Sequence, residues 1–211
     1  MTTLDDLRQA IITGNREQAK GLTQQALDKG LEARVIVVDG IAAAMEVVGE
    51  KFRANEFFVP ELLIAQRAMK EALSMMSGAE VDHTGTVVIG TVKGDLHDIG
   101  KNLVAAMLEG AGFKVVDLGA DVSPEQFVAA AKDNSAQVIA MSALLTTTMG
   151  SMRDTVQAMS EAGLNDSVKV IVGGAPVTQN YADEIKAHGY APDAASAVEK
   201  AKGLVSPHGC E

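Results

Sequence analysis

Hydrophobic positions along the chain change their period near residue 80. Before it they recur at three- and four-residue steps, the mark of one buried stripe per helix. The clearest run is Val38, Ile41, Met45, Val48 and Phe52, which predicts a helix over 32–53. Thr3 and Asp6 stand near the start of a first helix over 3–13. Asn15 followed by Gln18 reads as a capping box opening a second, which ends at Lys29 before Gly30. Asn55 and Pro60 punctuate the next turn, and Pro60 suits the first position of a fourth helix reaching Met76. Four helices with short connections predict a small bundle over 1–80.

A polar stretch follows, and 81–85 is expected as a linker. From 86 to 211 the pattern alternates. Strand-like runs at 86–92, 113–118, 137–142 and 168–172 are each followed by a helical stretch, with a short fifth strand at 189–191 and a last helix over 193–204. Strands separated by helices imply right-handed crossovers and a parallel sheet. Runs such as Val87-Val88-Ile89 lack polar alternation, as expected of strands covered on both faces. The expected class is α/β: a four-helix bundle, then a doubly wound five-stranded parallel sheet. In such sheets ligands bind beyond the carboxyl ends of the strands.

Composition narrows the function. The chain has 211 residues, 47% hydrophobic and 22% charged, enough for one or two domains with a real core. No apolar run approaches the ~18 residues a membrane span needs. The N-terminus shows no basic segment followed by an apolar one, so a signal peptide is not expected and cytoplasmic residence is. The net charge of −10 and the two tyrosines with no tryptophan speak against nucleic-acid binding. The single cysteine, Cys210, reads as a tail thiol. The ten methionines read mostly as core, though methionine also suits a surface that repacks.

The candidate chemistry sits at Gly94-Asp95-Leu96-His97-Asp98-Ile99-Gly100, between the first strand of the sheet and an apolar helical pattern. A histidine on such a loop can reach a metal. Asp95, two residues earlier, can hold one ring nitrogen and leave the other free, as carboxylates behind metal-bound histidines do. Its competing reading is a helix N-cap. Two further features fall where later strands end: Ser142-Ala143-Leu144, with 41 residues between it and Gly100, and Gly173-Gly174, with 28 residues between it and Leu144. Each glycine alone reads as a turn.

Together these read Asp-x-His-x-x-Gly, Ser-x-Leu and Gly-Gly. The combination resembles the cobalamin-binding domain of B12-dependent methyltransferases and mutases. With the upstream helices, the whole chain resembles the methyltransferase-cognate corrinoid proteins of methanol, methylamine, betaine and methoxy-aromatic demethylating systems. The resemblance implies a flavodoxin- or Rossmann-like domain capped by the bundle, holding cobalamin or a related corrinoid, in the methylcobalamin form during turnover. It implies that His97 is the lower axial cobalt ligand in base-off, His-on cobalamin. It further implies that Asp95 and a hydroxyl six positions after Ser142, here Thr148 where methionine synthases have serine, form a proton relay behind that ligand. Thr146 and Thr147 compete for that place. Gly100 would allow close approach to the cofactor. Ser142 and Leu144 would line a slot for the nucleotide tail, with Gly173 and Gly174 leaving it room. Phe52, Val59 and Leu62 would cover the upper face of the corrin, their competing reading being ordinary bundle core, with the linker as a hinge.

By the same resemblance the chain is a cofactor-bearing subunit, not a complete enzyme. Its expected partners are a substrate-specific methyltransferase, a corrinoid:acceptor methyltransferase using coenzyme M or tetrahydrofolate, and a corrinoid reductive activase. Two alternatives share the motif: a B12-dependent sensor or regulator, which would carry a basic DNA-binding segment, and the small subunit of a mutase, which generally lacks the Val47–Pro60 cap sequence. A metal phosphohydrolase would need further upstream histidines, and only His83 is available. A receiver domain would need an acidic cluster at strand ends.

Overall fold

The computed structural model describes residues 2–76 and 83–205. Contacts divide the chain into two compact units, Met1–His83 with Glu109–Gly112, and Thr84–Leu108 with the chain from Phe113 onward. The expected linker falls partly outside the described residues, at 81 and 82, and so does Cys210.

In the helical unit, α1 (Thr3–Ile12) starts where the sequence places it, with Thr2 as its N-cap. Thr2 accepts from the Asp5 N–H, and the Asp5 carboxylate accepts from the Thr2 N–H at 2.8 Å. This reciprocal pair satisfies two of the helix's orphan donors. Asn15 caps α2 (Arg16–Asp28) by accepting the Gln18 N–H at 3.1 Å. The predicted 32–53 helix is continuous but not uniform. A short α3 (Ala33–Val35) widens into a π-helical segment (Ile36–Ala42) before α4 (Ala43–Arg53). Buried positions therefore recur every four residues: Ile36, Gly40, Ala44, Val48 on one line and Val37, Ile41, Met45, Gly49 on the next. An i→i+5 turn takes more residues than the 3.6 of an α-helix, so the stripe drifts from where α-helical counting puts it. Val38 is consequently 53% exposed. Gly40 lets α1 come close, since a Cβ there would lie 3.1 Å from the Leu7 side chain. In α5 (Val59–Ser74) Pro60 lies in the first turn, and the Glu61 carboxylate accepts the Phe58 N–H at 2.9 Å. Its buried stripe is Leu62, Ala65, Ala68, Met69 and Ala72.

The second unit is a five-stranded parallel sheet of order β2-β1-β3-β4-β5. Its strands are β1 (Thr86–Thr91), β2 (Lys114–Asp117), β3 (Val138–Ser142), β4 (Lys169–Gly173) and β5 (Gly189–Ala191). Helices α6 (Ile99–Gly110), α7 (Pro124–Asp133), α8 (Gly150–Glu161), α9 (Gln179–Glu184) and α10 (Ala194–Val205) alternate with them. Val87, Val88, Val138 and Ile139 are fully buried, as strands covered on both faces require. Phe127, Met152 and Met159 belong to the same core cluster. Each such side chain contributes about 1.5–3 kcal/mol by leaving water. The chain leaves β1 for β2 on one side and reaches β3 on the other, so the strand order reverses between β1 and β3. A crevice opens beyond the carboxyl ends of strands at such a switch point. The loops after β1 and β3 carry the first two sequence motifs.

Candidate functional site

The sheet register aligns the motifs. Thr91 at the end of β1 pairs with Ser142 of β3, Ser142 with Gly173 of β4, and Gly173 with Ala191 of β5. Segments 51 and 31 residues apart in the chain (142 − 91 and 173 − 142) thus end in one row.

The loop after β1 is held by its own backbone. Gly94 adopts φ +85°, which only glycine takes without strain, and its N–H donates to the Asp121 carboxylate at 2.7 Å. The Asp95 carbonyl accepts the Asp121 N–H at 3.0 Å. The buried Thr91 hydroxyl donates to the His97 carbonyl at 3.0 Å, and Ser151 of α8 donates to the Lys93 carbonyl at 3.1 Å.

The Asp95 carboxylate has no exposed surface. One oxygen accepts from the His97 N–H at 3.1 Å and faces His97 Nδ1 at 2.7 Å. The other accepts from the Leu144 N–H at 2.7 Å, the Leu145 N–H at 3.2 Å and the Thr148 hydroxyl at 2.8 Å. Burial alone pushes this carboxyl up. The Leu144 N–H, the His97 ring and N–H and the Thr148 hydroxyl outweigh it, holding the group well below the usual carboxylate range. Asp95 is therefore an anion at neutral pH and can only accept, so Nδ1 carries the proton and neutral His97 keeps its lone pair on Nε2. The His97 side chain is 53% exposed. Thr148 is the buried member of its trio, and Thr146 and Thr147 are exposed. Of the three, Thr148 makes the hydrogen bond to the Asp95 carboxylate. α8 has no side-chain cap from any of the three.

Around this polar core the surface is apolar: Leu96 is 75% exposed, Ile99 81%, Leu144 44% and Leu145 41%. Exposed apolar side chains grouped this way mark a surface that something covers. A Cβ at Gly100 would meet nothing within 4 Å, so that face is open. Ser142 is half-buried, and its carbonyl accepts the Val92 N–H at 3.0 Å. Asp98 accepts from the Asn102 side chain at 3.0 Å.

Packing bears on two expectations. Gly173 and Gly174 are required by the chain itself. A Cβ at 174 would fall 1.9 Å from the Ala143 carbonyl oxygen, and one at 173 would fall 2.8 Å from that of Ala191. Leu62, expected over a cofactor face, is fully buried on the inward stripe of α5, as the bundle-core alternative requires. Val59 is 38% exposed and Phe52 partly buried. Sequence reasoning missed Leu145, whose N–H reaches Asp95, Asp121, which locks the loop, and Lys101, 1% exposed. A lysine in the first turn of a helix, where a cation opposes the dipole, was the available signal for the last.

Among the described residues, no group of three or more His, Cys, Asp or Glu is placed to hold a bare metal ion, and no helix is long and apolar enough to cross a membrane.

The chain is similar to known proteins over nearly its whole length. Family models described as B12 binding domain match residues 85–199 and 3–76. A corrinoid protein of Desulfitobacterium hafniense (strain Y51) is 42% identical over 97% of this chain and 98% of its own length. The trimethylamine corrinoid protein of Methanosarcina barkeri is 42% identical, covering 94% of both chains. The crystal structure of the methanol:cobalamin methyltransferase complex MtaBC from Methanosarcina barkeri superposes with TM-score 0.89 at 30% identity, over 98% of this chain and 80% of that one. A cobalamin-binding protein from Desulfitobacterium hafniense DCB-2 gives 0.78 at 30% identity, over 97% and 99%.

Proposed function

The chain belongs to the B12-binding corrinoid proteins of methyltransferase systems, and on that premise we propose that it carries a methyl group on a corrinoid cobalt whose lower axial ligand is His97. The carrying observation is the buried Asp95 anion, which holds Nδ1 of His97 at 2.7 Å while half the imidazole stays exposed. The residues fit the group. A macrocycle that already binds its metal in four positions needs one nitrogen from the protein, not a cluster, and His97 offers one. Its broad face would lie against an apolar surface like that of Leu96, Ile99, Leu144 and Leu145. The cofactor supplies a metal that accepts and releases a methyl group.

The chain's own residues position and tune. Asp95 fixes the imidazole tautomer so that Nε2 is the free nitrogen, and raises its basicity. Because Asp95 stays ionised, the proton it shares with the ring stays on Nδ1 of the imidazole. Thr148 donates to the same carboxylate and stabilises its charge. Ser142 and Leu144 at the end of β3, with Gly94, Asp98 and Gly100 on the β1 loop, line the place where the nucleotide tail and ring edge would lie. Phe52 and Val59 remain candidates for an upper-face cover.

The partners in this reading are a substrate-specific methyltransferase, a corrinoid:acceptor methyltransferase delivering to coenzyme M or tetrahydrofolate, and a reductive activase. The reading is tested with His97→Ala protein loaded with cobalt(II) corrinoid. An axial nitrogen splits the cobalt(II) EPR lines. Wild type should show the nitrogen splitting and His97→Ala should lose it while keeping the apo fold by circular dichroism. Splitting that survives in His97→Ala overturns the ligand assignment.

A further inference from the structure

Lys101 is 1% exposed in the first turn of α6. A cation there opposes the helix dipole, and a buried ammonium loses its hydration. Its environment compensates: two donors go to the two oxygens of Asp117, each at 2.5 Å, and one to Asn102 Oδ1 at 2.7 Å. A local rule broken at such expense points to a role outside the helix itself.

The bonds continue on both sides. Asn102 donates onward to Asp98, next to His97. Asp117 accepts the Gly119 N–H at 2.9 Å, the Gly119 carbonyl accepts the Thr91 N–H at 2.9 Å, and the Thr91 hydroxyl donates to the His97 carbonyl at 3.0 Å. The path from Lys101 through Asp117, Gly119 and Thr91 therefore returns to His97, and the peptide from 97 to 101 closes the ring. Asp95 orients the imidazole, but nothing in its contacts sets where α6 begins. The Lys101–Asp117 pair does, by tying that first turn to the end of β2.

We propose that Lys101, through Asp117, is a positioning residue for His97: it holds the loop backbone where Nε2 can reach the cobalt. Metal ligands tolerate only about 0.5 Å of misplacement, so loosening this ring shifts the balance from ligated to unligated imidazole. The inference rests on the ligand reading above and deepens it.

The test uses the full chain loaded with cobalt(II) cobalamin, as wild type, Lys101→Met and Asp117→Asn, each with and without His97→Ala. Lys101→Met keeps length and leaves Asp117, 40% exposed, to water. The expected result is an unchanged apo circular dichroism spectrum, retained cobalamin, and a ratio of nitrogen-split to unsplit EPR signal lowered on the order of tenfold, the low end for loss of a group orienting a metal ligand. In the His97→Ala background neither variant should change the spectrum. Should Lys101→Met not fold, Asp117→Asn, which turns an NH₂ donor towards the Lys101 ammonium in place of one of its two acceptors and removes the compensating charge, must show the same loss. Splitting present in wild type and unchanged in the folded variants overturns this inference alone. No splitting in wild type overturns the ligand reading and this inference with it.

Discussion

The helical unit and the sheet unit bury polar groups in opposite ways. Among the described residues the helical unit buries one polar side chain, Thr23, whose hydroxyl donates to the Ala19 carbonyl of its own helix at 2.8 Å. The sheet unit buries Thr91, Asp95, Lys101, Thr148 and Thr155. All of these but Thr155 gather at the carboxyl end of the strands and bond from one element to another. A fold needs no buried carboxylate or ammonium to be stable, and each costs several kcal/mol to desolvate before its partners offset it. The helical unit shows how little buried polarity packing demands. The excess at one end of the sheet is the physical signature of a site.

Glycine substitutions should separate the units most sharply. Gly174→Ala places a Cβ 1.9 Å from the Ala143 carbonyl oxygen, at φ +123°, and should cost more than about 4 kcal/mol, read as loss of a native transition in denaturant unfolding. A stable Gly174→Ala protein would show that the turn after β4 relaxes freely and that the row of strand ends is not rigid.

Asp95→Asn comes next. The amide keeps one acceptor oxygen and turns an NH₂ towards donors now facing it, so unfolding free energy at pH 7 should fall by about 3 kcal/mol. The sign with pH follows from the depressed pKa of Asp95. The folded protein holds the proton less tightly than the unfolded chain, so this contribution is complete above the ordinary aspartate value of about 3.9 and fades as pH drops below it. The gap between wild type and Asp95→Asn should narrow on acidification below about pH 4. A gap constant down to pH 2.5 would mean that packing, not charge, holds the loop.

The smallest effect belongs to the helical unit. Gly21 lies within α2, and a Cβ there meets nothing within 4 Å. Gly21→Ala should raise stability by about 0.5–1 kcal/mol, seen as a higher denaturant midpoint at unchanged slope. Destabilisation would mean that α2 is constrained in a way its open surface does not reveal.

Much of this architecture was legible from local pattern. The strand runs and the helices between them come from period and capping, as at Asn15 and Pro60, because those signals act over a few residues. Asp95 and His97 were legible as a pair because they sit two positions apart on one loop. Thr148 could not be chosen over Thr146 in the same way. Which hydroxyl turns inward depends on how the start of α8 lies against a carboxylate 53 residues away. Val38 misled because it lies in a π-helical segment, whose wider turn shifts the buried stripe away from where α-helical counting puts it. Leu62 misled because apolar character does not say which neighbour receives it.

By itself, then, the sequence determined the order and type of the elements and the one loop where an imidazole stands behind a carboxylate, since both are written in short-range spacing. Only the tertiary structure decided that Leu144, Leu145 and Thr148 converge on Asp95 and that Gly173 and Gly174 serve neighbouring backbone. It alone joined Lys101 to Asp117, because each of these contacts spans many residues of chain and exists only once the parallel strands are in register.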